Sequence, residues 1–255
     1  MKPIWTLLLS LSVLSASGLG ASGPAAPSSP LRVLAFREVP FFYDHEGAVK
    51  GFEYEILALY ARVAGRRIEV VWVERFEDVL PMLAKGLGDV VAARVTITTE
   101  RRALFGFSAP YFTVRIVLVE PLGKTTTRLD ELRGATLATT RGTTYEELLS
   151  EIPDVKLVYG DQDTDLLRLV ATGKARATAV DSMSVLGLLP KFPQLKISLP
   201  LSEPQAYGFA VRKGSQLEGE LSRHVELLRT SAMYFRLIEK YFGKDAATMV
   251  RAAHR

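Results

Sequence analysis

The stretch "VVAARVTITTERRALFGFSAPYF" (Val90 to Phe112) places Arg94, Thr96 and Arg101 where a short apolar run hands over to the start of a helix. A guanidinium presents a planar fork of N–H donors that matches the two oxygens of a carboxylate. It also stays charged when partly desolvated. Those residue types at that junction suit the holding of a small anion. The competing reading is a solvated loop followed by an Arg on the first helical turn beside Glu100, since long charged side chains are mostly hydrated. Thr96 on its own is equally an ordinary loop or capping residue. In "RGTTYEE", Thr143 and Thr144 open a second helix, whose first N–H groups have no intrahelical acceptor and can receive a carboxylate. Thr143 and Glu146 are also spaced as a capping box. Asp181, in "ATAVDSMS", reads as the N-cap of a further helix.

Other chemistries find no support. His45, His224 and His254 are scattered without metal-ligand spacing, and neither a GxSxG motif nor a phosphate-binding loop occurs, so no metal and no cofactor is expected. The formal net charge of +4 is spread along the chain, with Lys and Arg interleaved with Asp and Glu; no basic face points to nucleic acid.

The elements that must position these residues begin after the N-terminus. Lys2, the apolar run from Ile4 to Leu14 and the small residues of "SGLGA" have the layout of a cleaved signal peptide over residues 1–21. That run is too short for an ordinary membrane span, and no Cys follows it to carry a lipid. Residues 22–30, "SGPAAPSSP" with its preceding Ala21–Ser22 junction, read as a flexible leader. The remaining chain is more than one small core usually holds, and without Cys it must fold on apolar burial alone.

From Leu31 onward, short β-like runs alternate with helical windows. "LRVLAF", "IEVVWV" and "VVAA" are strands. "GFEYEILALYARVAGR" is a helix with Phe52, Ile56, Leu59, Tyr60 and Val63 on one face, and "FEDVLPMLAKGLGD" is a second, with Pro81 early in it. A second round follows with "VRIVLVE", "ATLAT", "VKLVY", "ATAV", "LKISL" and "YGFAVR" as strands and helices between them. "QLEGELSRHVELLRT" and "AMYFRLIEKYFG" close the chain as amphipathic helices. Two rounds of alternation predict an α/β protein of two lobes, each a mostly parallel sheet flanked by helices.

Five blocks in this order are similar to a known family. They are "VPFFYDHEGAVKGFEYEILALYA", "RFEDVLPMLAKGLGDVVAARVTITTERRALFGFSAPYF", "LRGATLATTRGTTYEELL", "ATGKARATAVDSMSV" and "EPQAYGFAVRKGS". Together they resemble the type II periplasmic solute-binding proteins that bind amino acids for ABC transporters. "FFYD", "GFEYEIL" and "SEPQAYGFAVRKGS" also resemble the substrate-binding-like domain of membrane-bound lytic transglycosylase F. The resemblance implies lobe 1 at 31–112 plus 205–255, lobe 2 at 113–204, two crossover hinges and a ligand cleft between the lobes.

By the same resemblance, Arg101 pairs with a ligand α-carboxylate and Thr96 adds its hydroxyl. Backbone groups around Ala93 and Arg94 complete the lobe 1 side. Thr143 and Thr144 face the cleft from lobe 2, and Asp181 receives the ligand α-ammonium. Phe76 packs against the ligand side chain, and Phe41, Phe42 and Tyr43 follow Pro40 in the first cleft loop, at least one of them destined for the core. Arg94 departs from the family pattern, which has a small residue there; it either recognises an acidic ligand group or pairs with Asp181 or Glu38 and shrinks the pocket. The implied function is a monomeric, non-enzymatic periplasmic receptor. It would capture an amino acid or related small zwitterion and present it to an ABC permease. The alternatives are a sensory module for muropeptides and, third, a periplasmic dehydratase of prephenate-like acids, with Arg94 and Arg101 holding a dicarboxylate and Glu38 or Asp181 as acid.

Overall fold

The computed structural model describes residues 29–253; the stretch expected to be a signal peptide (1–21) and residues 22–28 of the expected leader lie outside the described residues. In the first sheet Leu31–Phe36 lies parallel to the edge strand Ile68–Val73 on one side and to Val90–Ala92, the middle strand, on the other. Val90–Ala92 then pairs antiparallel with Ala210–Arg212, which pairs antiparallel with Phe105–Phe107 at the edge. The second sheet repeats the plan. Thr136–Thr139 lies parallel between Lys156–Tyr159 and Ala177–Asp181, and Ile116–Pro121 and Leu195–Pro200 add antiparallel strands. Val33, Leu34, Val90 and Val91 in one sheet, and Leu118, Val119, Ala179 and Val180 in the other, are wholly buried, as expected of strands covered on both faces.

The chain passes from the first sheet to the second at Phe112–Val114 and returns at Gln205–Tyr207, and these two segments pair antiparallel as a short ribbon. "YGFAVR" is therefore not one strand. Tyr207 ends the ribbon, Ala210 begins the sheet strand, and Gly208 lies between them. A Cβ on Gly208 would come within 2.7 Å of Ile97 Cδ1, so a larger residue there would have to displace the Ile97 side chain.

The helix Phe52–Val63 buries Phe52, Glu53, Ile56, Leu57, Tyr60 and Ala61. Val63, expected on that face, is 85% exposed at the last turn, because two adjacent i, i+4 rows form the stripe and leave position 63 outside it. The C-terminal segment Ala232–Ala253 is two helices joined at Gly243, whose non-helical backbone (φ 88°, ψ 171°) ends the first of them where the sequence places the glycine. Phe242, just before that glycine, stacks on Phe112 at 5.3 Å and meets Phe41 at 5.2 Å. Among the described residues no helix is long and apolar enough to cross a membrane.

Candidate functional site: the cleft between the lobes

Parallel strands of both sheets end at the cleft, where the loops that follow them supply side chains. From the first lobe come Phe36, Phe76, Arg94, Thr96 and Arg101, with Tyr207 from the returning crossover; from the second come Thr140, Thr143, Thr144, Tyr145, Asp161 and Asp163. They enclose a cavity of ≈ 20 Å³, room for about one water. The lobes are thus closed on each other. Anything larger enters only when they separate.

Arg94 holds the closure. Its backbone is in the left-handed region (φ 52°), uncommon for a side-chain-bearing residue, and its N–H donates to Glu53 Oε1 at 3.0 Å. Its Nη1 donates across the cleft to Asp163 Oδ2 at 2.8 Å, Asp181 Oδ2 at 2.8 Å and Ser184 Oγ at 3.1 Å; Nη2 donates to Glu38 Oε2 at 3.3 Å. The guanidinium also lies 5.0 Å from the centre of the Phe41 ring. Three carboxylates around one cation leave an excess of negative charge. Burial and the neighbouring charge of Asp163 push the Glu38 carboxyl well above the usual range. Burial raises Asp163 against the pull of Arg94. Burial alone would lower the Arg94 guanidinium, but Asp163 and Glu38 hold it well above its ordinary value.

Asp181 is fully buried and heavily used. Its Oδ1 accepts the backbone N–H groups of Met183 at 2.9 Å and Ser184 at 2.8 Å, capping the helix Ser182–Leu188. Its Oδ2 accepts from Arg94, from the Ser184 hydroxyl at 2.6 Å and from the Tyr145 hydroxyl at 3.4 Å. Tyr145 in turn meets the Tyr207 hydroxyl at 3.3 Å. Burial raises both phenols well above their ordinary values, so they stay neutral donors.

Arg101 has the opposite environment. Its Nη1 donates to the Thr96 carbonyl at 3.1 Å and its Nη2 crosses the cleft to the Gly142 carbonyl at 2.9 Å. Among the described residues no carboxylate pairs with it. Desolvation lowers its affinity for a proton, as for a cation removed from water without a full counter-charge. The Thr96 and Thr144 hydroxyls face each other across the cleft at 3.4 Å. Thr143 caps the helix Thr144–Ser150 by accepting from the Glu146 N–H, while Glu146 reaches back to the Gly142 N–H at 2.8 Å. The capping box therefore closes one residue earlier than its usual form.

A model of the bacterial extracellular solute-binding proteins, family 3, matches residues 33–244. The chain belongs to that family. This family-3 protein is 28% identical over 249 residues to the "Probable histidine-binding protein" of Neisseria gonorrhoeae, covering 93% of this chain and 92% of that one. It is 30% identical over 211 residues to the membrane-bound lytic murein transglycosylase F of Aeromonas salmonicida, covering 79% of this chain and only 42% of that protein's length. Its structure is similar to that of holo ArgBP from T. maritima, with a TM-score of 0.72 and 31% identity, covering 84% of this chain and 96% of the other. These likenesses show the two-lobed fold of periplasmic amino-acid-binding proteins.

In this family-3 protein, six of the residues singled out in the sequence line one cavity: Phe76, Arg94, Thr96, Arg101, Thr143 and Thr144. Ala93 is buried beneath it in the core of the first lobe. Phe41 is wholly buried against Phe112 and Phe242, because the Pro40 loop turns it into the aromatic core; it is not on the cavity wall. Neither Asp181 nor Glu38 lines the cavity. Sequence reading passed over Asp163, Ser184, Tyr145 and Tyr207. Asp163 is the first residue of the helix Asp163–Ala171 and looks like any first-turn acid.

Proposed function

We propose that the chain is an exported, monomeric solute-binding protein. It captures a small carboxylate-bearing solute of the amino-acid class or its derivatives between its lobes, in the periplasm, and presents it to an ABC importer. One observation carries the reading: Arg101 is a half-buried cation at the cavity that lacks a carboxylate and touches both lobes. A guanidinium does not relieve that imbalance by losing its proton, so the stable state is the one in which an anion completes its shell. Contacts from both lobes to one solute exist in full only when the cleft is closed, so binding and closure are linked. The names of the relatives support the same class.

The experiment is a thermal-shift and calorimetry screen of the protein from Leu31 onward against amino acids, 2-oxo acids and dicarboxylates. A solute at 100 times its dissociation constant stabilises the fold by about 2.7 kcal/mol. Arg101→Met should abolish that shift. An equal shift in the variant refutes the role of Arg101. The likeness to transglycosylase F favours a second reading, a sensor of peptidoglycan peptides. Stabilisation by muropeptides and by no free carboxylate selects that reading.

A further inference from the structure

Glu38 and Arg94 belong to the first lobe, Asp163 and Asp181 to the second. In the closed protein all four meet: Arg94 Nη1 reaches Asp163 and Asp181 at 2.8 Å, and Nη2 reaches Glu38 at 3.3 Å. The Asp163 N–H crosses the cleft to the same Glu38 Oε2 at 3.3 Å, and the Gln162 side-chain amide donates to the Arg37 carbonyl at 3.2 Å. The start of the helix Asp163–Ala171 therefore covers Glu38 as the lobes shut. All three carboxyl groups are buried. With every group ionised, three carboxylates face one guanidinium and two negative charges stay unbalanced.

Like charges that share a buried site disfavour their common ionisation, because little water remains to screen them. Among the described residues, the other titratable groups that hydrogen-bond this cluster are not cations. Glu53, on the helix Phe52–Val63, accepts the Arg94 backbone N–H; Tyr145 bonds Asp181 and Tyr207 bonds Tyr145, both as neutral phenols. Arg37, the chain neighbour of Glu38, turns away to Glu74 and the Trp72 ring. Glu38 is where a proton fits best: its two bonds, at 3.3 Å, are longer than the 2.8 Å bonds to Asp163 and Asp181. Burial and the charge of Asp163 raise its proton affinity, and burial raises that of Asp163 too, so the pair titrates as a unit.

We propose that closure of the lobes takes up a proton at the Glu38–Asp163 contact, so that acid favours the closed form and higher pH the open one. The site exists only when the lobes meet: apart, Glu38 keeps Arg94 beside it, and Asp163 and Asp181 face water. The closed carboxyl binds its proton more tightly than the open one. Closure is therefore helped in full below the ordinary Glu value of 4.5, and that help is lost as pH rises through the raised value of the closed form. Between the two values a single linked proton changes the closed-to-open ratio by up to about tenfold per pH unit. This linkage belongs to the hinge and holds whatever the solute is.

Hydrogen exchange on the solute-free protein tests it, because the Asp163 amide is protected by a bond across the cleft. Its protection factor, corrected for the intrinsic exchange rate, should fall roughly tenfold or more between about pH 5 and pH 8 in the wild type. The carboxyl carbon of Glu38 should titrate over the same interval. Glu38→Gln, which keeps an acceptor and removes the proton site, should flatten the fall. The two wild-type measurements stand alone if the variant folds poorly. A flat wild-type profile, an equally steep one in the variant, or a Glu38 midpoint at or below 4.5 overturns the proposal. So does an Asp163 amide that is, at every pH, as protected as that of Val119, buried in the second sheet, since the cleft would then open only by unfolding.

Discussion

Arg94→Met should open the cleft. The substitution keeps the length and apolar stem of the side chain and removes its charge. Three of the four guanidinium bonds cross between lobes, to Asp163 at 2.8 Å, Asp181 at 2.8 Å and Ser184 at 3.1 Å, and so exist only in the closed form. Removing one partner of a buried ion pair costs about 3–5 kcal/mol, because the orphaned charge stays dry. Burial has already pushed Glu38 and Asp163 toward the neutral form, which softens the loss, so the lower end applies, about 3 kcal/mol. In the open form these carboxylates meet water with or without Arg94, so the penalty falls on closure. At about 1.4 kcal/mol per factor of ten, the closed population drops on the order of 100-fold relative to the open one. The chain contains no Cys, so Val63→Cys and Leu122→Cys, at positions 85% and 58% exposed on separate lobes, give unique sites for spin labels. Pulsed dipolar spectroscopy without added solute should show one compact distance for the double-cysteine protein and a longer, broader one once Arg94→Met is added. Identical distributions, in a variant whose melting temperature is also unchanged, would show that Arg94 is not what holds the lobes together.

Glu38→Gln should flatten the pH dependence of stability. The folded carboxyl keeps its proton well above the ordinary value of 4.5, so from that value upward the native state holds more protons than the unfolded one. Stability therefore falls as pH rises from 4.5, until the folded group ionises. Melting temperatures across that range should decline less steeply in the variant, with a residual slope from Asp163; an unchanged slope refutes the assignment. Gly142→Ala should disfavour closure through the opposing lobe. The glycine has φ +71°, and a Cβ there would lie 3.0 Å from the Glu77 Cα, a backbone atom of the first lobe. Strain of this kind costs about 1–3 kcal/mol. Small-angle scattering should report a larger radius of gyration than for the wild type, and an unchanged radius would mean the loop yields locally.

Much of the scaffold was legible because its signals are local. "LRVLAF" and "IEVVWV" are apolar runs broken only by Arg32 and Glu69, and they pair as neighbouring parallel strands, the first almost wholly buried and the second a half-buried edge. Thr143 and Asp181 are capping residues in front of helical windows, and each caps its helix. Signals failed where a neighbour distant in sequence decided the outcome. Val63 matched a helical face that the core does not use. "YGFAVR" read as one strand because nothing local shows that Tyr207 pairs with Phe112 in the crossover ribbon and that Ala210–Arg212 joins the first sheet.

The site shows the same division more sharply. Arg94 stood out as a large cation where a small residue is usual, and pairing with Asp181 or Glu38 was one of two readings open to it. The structure joins it to both and adds Asp163, separated from it by 69 positions and brought near only when the lobes close. Such a contact has no periodicity and no cap to announce it. Its consequence is thermodynamic: in a two-lobed binder the bridging charge of the solute supplies the closing force, and here a side chain supplies part of it in advance. A solute gains less from closure that is already favoured, but it avoids the cost of selecting a rare state. Of the charged groups on the cavity wall, Arg101 and Asp161 are left outside this cluster, one a donor and the other an acceptor.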